Sequence, residues 1–264
     1  MPELPEVETY RKQIEKKFKN KKITGVTASP DKVIFGLSTS AQIKKAFLGH
    51  KIKKAGRKGK YMWLELDQKP WPVFHLGMTG SYILADKIPE KAKSIKLILE
   101  FDDGSVLVFK DPRRFGRMFL VKDPFQSYPL GGLGPDALAE TPSLKNLKVM
   151  FEGRSAPIKA LLMDQSLISG IGNYMADEIL FQARIDPRRK AGSLTSQELS
   201  RIRSKIISVS KIAVKANADS DKFPKNWLFH HRWGKKAGHV SSGETIRHTE
   251  VGGRTTAWVP ELQH

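Results

Sequence analysis

The chain has 264 residues, enough for one large domain or two of medium size, with 46 Lys and Arg against 27 Asp and Glu and no cysteine. The net charge of +19 calls for a polyanionic partner, while the lack of cysteine excludes disulfides and thiolate metal sites. No run of roughly 18 apolar residues is present and no apolar signal core follows the start, so neither a membrane span nor secretion is expected.

Nucleic acid is the first candidate for that partner and an acidic membrane surface the second. The basic residues are spread over the whole chain, which favours a folded binding surface over a disordered basic arm.

The chain opens Met1-Pro2-Glu3-Leu4-Pro5-Glu6. With a small residue second, Met1 is expected to be removed, leaving the secondary amine of Pro2. An α-amino group titrates near ~8, so part of it is an uncharged nucleophile at neutral pH, able to form an iminium with a sugar carbonyl. Glu3 lies beside it, where a carboxylate could carry protons. The same residues are also ordinary helix-start chemistry, with proline and acidic side chains in the first turn. Leu4, Val7, Tyr10, Ile14 and Phe18 then step by three or four, predicting an amphipathic helix over Glu3–Lys19 with a basic outer face.

Beyond Lys22 the pattern becomes strand-like. Short β-branched or aromatic runs fall at Ile23–Thr27, Val33–Leu37, Lys51–Ala55, Tyr61–Leu66, Val73–Leu76, Ile95–Phe101, Val106–Lys110 and Met118–Val121. A short helix is expected at Ala41–Leu48 and a hairpin turn at Asp102-Asp103-Gly104. Eight short strands after one helix read as a β-sandwich or barrel.

Three turns in this half carry chemistry. Gly56-Arg57-Lys58-Gly59-Lys60-Tyr61 puts three basic side chains between glycines, which suits phosphate contact and equally a solvated basic loop. His75-Leu76-Gly77-Met78-Thr79-Gly80 sets an apolar side chain in a turn, either as a wedge for a base stack or as a core methionine. Asp111-Pro112-Arg113-Arg114-Phe115-Gly116 offers arginines for base edges or phosphates and a phenylalanine to fill a gap in a stack.

A Pro/Gly-rich connector, Asp123–Pro142, marks a domain boundary. Helical periodicity follows at Pro157–Met163, Gln165–Leu167, Asn173–Ala183 and Thr195–Asn217, the last with a capping-box start. Ser166–Tyr174 joins two helical stretches through Gly170-Ile171-Gly172. Its glycines allow close backbone approach, the next helix offers N–H groups to a phosphate, and Asn173 can cap or reach a phosphate oxygen. In the β-like tail, His239-x-x-Ser242 and Val259-x-x-Leu262 have zinc-ribbon spacing without zinc-ribbon residues. Between them Gly252-Gly253-Arg254-Thr255-Thr256 reads as a hairpin tip presenting one arginine. Val240, Ile246, Val251, Trp258, Val259 and Leu262 could supply a small apolar core in place of a metal.

PELPEVET at the start, GRKGKY, HLGMTG, DPRRFG, the stretch 164–187 with SGIGNYMADE and the tail's GGRTT together resemble the formamidopyrimidine-DNA glycosylases, in order and over essentially the whole chain. The start is closer to that branch than to the endonuclease VIII branch. The resemblance implies an α+β multidomain fold. Its parts are an N-terminal helix on an eight-stranded β-sandwich (1–130), a helical domain with a helix–two-turn–helix (131–228) and a β-hairpin finger (229–264). It implies base-excision repair of duplex DNA containing oxidised purines or abasic sites. The target nucleotide is flipped out, Pro2 attacks C1′, and both phosphates are then eliminated. Glu3 would shuttle protons, Glu6 would support the site and Lys60 would bind phosphates. Met78 would fill the void, Arg113 would pair with the orphaned cytosine and Phe115 would wedge the opposite stack. Asn173 and Arg254 would grip the backbone. The loop over the flipped base would lie near Asn217–Pro224.

Typical members carry four cysteines where this chain has His239, Ser242, Val259 and Leu262, so a zincless finger with no metal and no cofactor is expected. A monomer is expected, in the cytoplasm at the nucleoid if prokaryotic and otherwise in the nucleus. Two rival readings stand beside this one: the same chemistry on oxidised pyrimidines or hydantoins, and a non-catalytic binder of lesions or abasic sites. Intact Pro2, Glu3, Glu6 and Lys60 argue against the binder, which has no need of them. A membrane-surface protein would explain none of the loops.

Overall fold

In the computed structural model the described residues are 2–36, 38–89, 93–234 and 238–264. They divide into two compact units, one of Pro2 with Glu6–Gly132 and the other of Glu3–Pro5 with Leu133–His264.

Helix α1 (Leu4–Phe18) forms over the predicted stretch, and from Glu6 on it belongs to the first unit, with Val7, Ile14 and Phe18 in that unit's core. Phe18 stacks on Phe101 with ring centroids 4.3 Å apart. Each such fully buried side chain contributes about 1.5–3 kcal/mol. The core lies between two antiparallel four-stranded sheets. One is ordered β1 (Ile23–Ala28), β6 (Ile95–Phe101), β7 (Val106–Lys110), β5 (Ser81–Ala85). The other is ordered β2 (Ile52–Lys58), β3 (Tyr61–Leu66), β4 (Trp71–His75), β8 (Arg117–Val121). Together they are the eight-stranded sandwich.

Val33–Leu37, expected as a strand, is instead helix α2 (Lys32–Phe35) over its described part; Leu37 lies outside the described residues. The Asp31 side chain accepts hydrogen bonds from the Val33 and Ile34 N–H groups and so starts a helical turn. A short apolar run has no periodicity to separate the two states. The eighth strand is β5, absent from the sequence reading. It is an edge strand with one mainly buried residue, Tyr82, and so lacks an alternating signature. Helix α3 (Ser40–Phe47) matches the expected one, with a capping box from Thr39 and Gln42.

The second unit is helical. It contains α4 (Leu144–Phe151), α5 (Ile158–Leu162), α6 (Asn173–Ala183) and α7 (Ser196–Lys215), closed by the hairpin β9 (Arg247–Val251) and β10 (Arg254–Trp258). Thr195 and Glu198 form the expected capping box of α7. Gln165–Leu167, expected as helix, is a turn between α5 and α6. The Gln165 amide donates to the Met163 and Ile171 carbonyls and accepts from the Gly170 N–H, satisfying the turn's own backbone. This α5–turn–α6 unit is the helix–two-turn–helix. After α7, Asn217 and Ala218 take left-handed conformations before a 3₁₀ turn at Ser220–Lys222.

The tail's apolar residues Val240, Ile246 and Val259 pack with Phe181, Leu228 and Ala257, and Leu262 lies against them. Val251 and Trp258 are buried outside that cluster. A polar network ties the hairpin to the helices. The fully buried Lys159 ammonium lies 2.7 Å from Asp177 and donates to the Thr256 hydroxyl at 2.6 Å. Asp177 also receives Arg232 at 2.6 Å and the Ala257 N–H at 3.2 Å.

Candidate active site

In the first unit one sheet edge gathers most of the candidates. Tyr61 pairs with His75 and His75 with Arg117, so the start of β3, the end of β4 and the start of β8 form one row. The turns leaving that row carry Lys60, Met78 and Arg113 to Phe115. Register alone therefore brings together three motifs that lie far apart in sequence.

Lys58 pairs with Tyr61, leaving Gly59-Lys60 as a two-residue turn with Gly59 at φ 57°. Both sequence readings of the GRKGK segment, phosphate contact and solvated loop, leave its three basic side chains accessible. Arg57 departs from that, because its side chain is only 4% exposed and ion-paired to Glu8. Gly56 is required for another reason: a Cβ there would fall 2.2 Å from the Trp63 ring.

Met78 sits exposed at its turn rather than in the core. Gly77, at φ 58°, lets this turn approach the next loop, since a Cβ would lie 2.4 Å from the Phe115 carbonyl carbon. Fully buried Asp111 ties the two loops together. Its carboxylate accepts from the Thr79 hydroxyl, from the Arg113 N–H at 3.2 Å and from the Gly116 N–H at 2.6 Å. Arg114 points away in a two-bond pair with Asp31, whose carboxyl is held well below the usual range: burial opposes this, but Arg114 and Lys96 outweigh it. Arg113 and Phe115 stay exposed, the guanidinium 4.8 Å from the ring centre.

His75, in the HLGMTG motif, has a side chain whose place its sequence context does not reveal. Its ring lies 4.6 Å from that of Tyr61, tilted by 40°, and burial together with Lys60 and Arg117 lowers its pKa to about 4. It is neutral at physiological pH. Nδ1 accepts the Gly77 N–H, so the ring proton belongs on Nε2, leaving a neutral donor beside Lys60. Pro2 is half-buried and Glu6 occupies the first turn of α1.

In the second unit Glu3, Asn173 and Arg254 gather at the start of α6. Buried Glu3 accepts the Tyr174 N–H at 2.9 Å on one carboxylate oxygen and the Met175 N–H at 3.2 Å on the other. A carboxylate suits that place, because a helix N-terminus presents unpaired N–H groups and a positive dipole end. This corrects the reading in which those N–H groups wait for a phosphate: Glu3 takes them. Gly172 makes the approach possible, since a Cβ there would fall 2.1 Å from the Glu3 carboxyl carbon. The Asn173 amide donates to the Thr255 carbonyl at 3.0 Å, tying α6 to the hairpin. Gly252 and Gly253, both at positive φ, form the two-residue tip, and exposed Arg254 follows as the first residue of β10.

The zinc-ribbon positions do not fit zinc. Val259 is fully buried in the apolar cluster, Leu262 packs on it, and neither has a donor atom. His239 Nδ1 bonds the Gly243 carbonyl and the Ser242 hydroxyl donates to Glu244. Among the described residues no three His, Cys, Asp or Glu side chains cluster to hold an ion. No described helix is long and apolar enough to cross a membrane.

Residues 133–225 match the family model described as the formamidopyrimidine-DNA glycosylase H2TH domain, so the chain falls in the class of helix–two-turn–helix DNA glycosylases. Residues 1–118 match the N-terminal domain of the same enzymes, and the chain belongs to the formamidopyrimidine-DNA glycosylase family, whose members are DNA glycosylases and abasic-site lyases. A formamidopyrimidine-DNA glycosylase of Arabidopsis thaliana is 42% identical over 277 residues, covering 100% of this chain and 71% of that protein. One from Pelotomaculum thermopropionicum is 34% identical, covering 100% and 99%. The Lactococcus lactis enzyme, solved bound non-covalently to DNA with an AP site, superposes with a TM-score of 0.88 at 30% identity over 100% of both chains.

Proposed function

We propose that this chain removes oxidised purines from duplex DNA and then cleaves the strand, using the amine of Pro2 after loss of Met1. The observation that carries the reading is Glu3: the residue joined to Pro2 has a buried carboxylate held by two backbone N–H groups. The Pro2 amine attacks C1′ of a flipped nucleotide and the base leaves with the glycosidic electron pair, taking a proton from water; the proton freed from the Pro2 nitrogen passes through the Glu3 carboxylate to the ring oxygen as the C1′–O4′ bond breaks, which leaves an iminium between Pro2 and C1′. The resulting iminium acidifies the C2′ proton. Its removal expels the 3′-phosphate, and a second elimination expels the 5′-phosphate. Glu6, in the first turn of the helix that follows Pro2, supports the site. Lys60, Asn173 and Arg254 hold phosphates, Met78 fills the vacated stack, Arg113 meets the orphaned base and Phe115 wedges the opposite strand.

The substrate class is carried over from relatives: Lactococcus lactis structures hold AP-site and FAPY-dG DNA, and another solved relative holds carbocyclic 8-oxo-G DNA. A further Lactococcus structure holds an oxidised pyrimidine, which supports a broader range as the second reading. For the finger, the apolar cluster and the Lys159–Asp177–Thr256 network do the work of a metal.

Borohydride added during reaction with an 8-oxoguanine duplex will trap a covalent adduct on Pro2. Failure to trap with any oxidised base or abasic site refutes the amine mechanism, and turnover of pyrimidine lesions alone selects the second reading.

A further inference from the structure

Lys60 must meet a phosphate from the tip of a two-residue turn, on a side chain with four rotatable bonds. The surroundings of that turn fix its backbone. Arg57 Nη1 donates to the Gly59 carbonyl at 3.0 Å, one residue before Lys60. Arg57 Nε in turn donates to the Glu8 carboxylate at 2.9 Å. The Arg57 side chain is 4% exposed and that of Glu8 is 11% exposed, so neither is placed to meet DNA itself.

Glu8 is anchored from its own helix as well. Arg11 gives it two bonds, at 3.0 Å and 2.9 Å, and also reaches the Ala55 carbonyl on β2 at 3.2 Å and Glu15. Burial alone would raise the Glu8 carboxyl, but the two guanidiniums more than offset it and hold it below the usual range. Glu8 follows Pro2 by six positions, less than two helical turns.

We propose that Glu8 and Arg57 are positioning residues that lock the Lys60 turn to α1, so that the helix leading from Pro2 and the phosphate-binding lysine keep a fixed geometry. The pair transmits register through the Gly59 carbonyl and touches no substrate. This rests on Lys60 contacting phosphate, and the test separates the two claims.

Affinity for duplex carrying a tetrahydrofuran abasic analogue is measured against salt concentration for the full chain, for Lys60→Ala, for Glu8→Gln and for the double variant, with Tm recorded for each. Lys60→Ala is expected to weaken binding and lower the salt slope by about one ion. Glu8→Gln is expected to weaken binding about three- to tenfold with a smaller slope, and to change neither quantity further once Lys60 is already Ala. Equal weakening by Glu8→Gln in both backgrounds, or an unaltered slope in the single variant, overturns the positioning role and leaves Lys60 intact. Unaltered affinity and slope in Lys60→Ala removes the phosphate contact, and the proposal with it. Should Glu8→Gln fail to fold, Arg57→Lys is read the same way: it keeps the charge beside Glu8 and loses the fork that also reaches Gly59.

Discussion

Gly172→Ala displaces the Glu3 carboxylate while leaving that side chain chemically unchanged. The backbone at Gly172 has φ −119° and ψ −159°, which an alanine adopts without strain, so any effect comes from the added methyl. That carbon would lie 2.1 Å from the Glu3 carboxyl carbon and 2.4 Å from Oε1. Normal carbon contact is about 3.5–4.0 Å, so the carboxyl must retreat by more than about 1 Å. It then loses its bonds to the Tyr174 and Met175 N–H groups, each worth about 1.5–3 kcal/mol because the acceptor is charged. A misplacement of this size costs on the order of a hundredfold in rate. The expected result is a drop in kcat of that order for base release and strand cleavage, measured under single turnover. Affinity for an abasic analogue should change less than threefold, since Asn173, Arg254 and Lys60 are untouched. Single-turnover rates within threefold of the original chain would refute the role assigned to the Glu3 position.

Two other outcomes follow from the same structure. Burial pushes the Glu178 carboxyl up to about 7 despite bonds from Gln182 and the Phe229 N–H, so its contribution to stability is full below about 4.5 and is lost as pH rises through 7. At about 1.4 kcal/mol per pKa unit, urea unfolding should show Glu178→Gln gaining about 3 kcal/mol on the original chain between pH 4.5 and 8, and parallel pH profiles would contradict this. Arg254→Ala should weaken binding to all duplexes alike and lower the salt slope by about one ion, while a chelator leaves Tm unchanged; an unaltered slope would mean the hairpin tip does not reach DNA, and a shifted Tm would reveal a metal.

Much of this protein is legible in its sequence alone. The spacing of Leu4, Val7, Tyr10, Ile14 and Phe18 marks α1 because a helix repeats every 3.6 residues. Thr195 and Glu198 mark the start of α7 because the capping box is local chemistry. Gly252-Gly253 marks the tip of the last hairpin because both take positive φ, which is disfavoured for side chains with a Cβ. Where local chemistry is ambiguous, a cap or tertiary contacts decide the state. Val33–Phe35 has equal claims as strand or helix, and the Asp31 cap decides it. The edge strand β5 owes its state to pairing with β7.

The candidate site divides in the same way. The residue types offer an amine, a carboxylate, clustered cations and loops with large side chains, since each is a property of side chains in their own turn, and the family resemblance is what assigns them roles. Tertiary structure alone decided which of them meet. The Tyr61–His75–Arg117 row aligns three loops on one edge, and Asp111 bonds two of them together. Arg57, one of three basic side chains in a turn that suits phosphate contact or solvent equally, is turned inward by Glu8 from another element. The α6 N–H groups, read as open to phosphate, are taken by Glu3 across 170 residues of sequence, and that contact depends on Gly172 having no side chain. A sequence displays donors, acceptors and charges, but which partner satisfies each is fixed only when distant segments are packed within about 3 Å of one another.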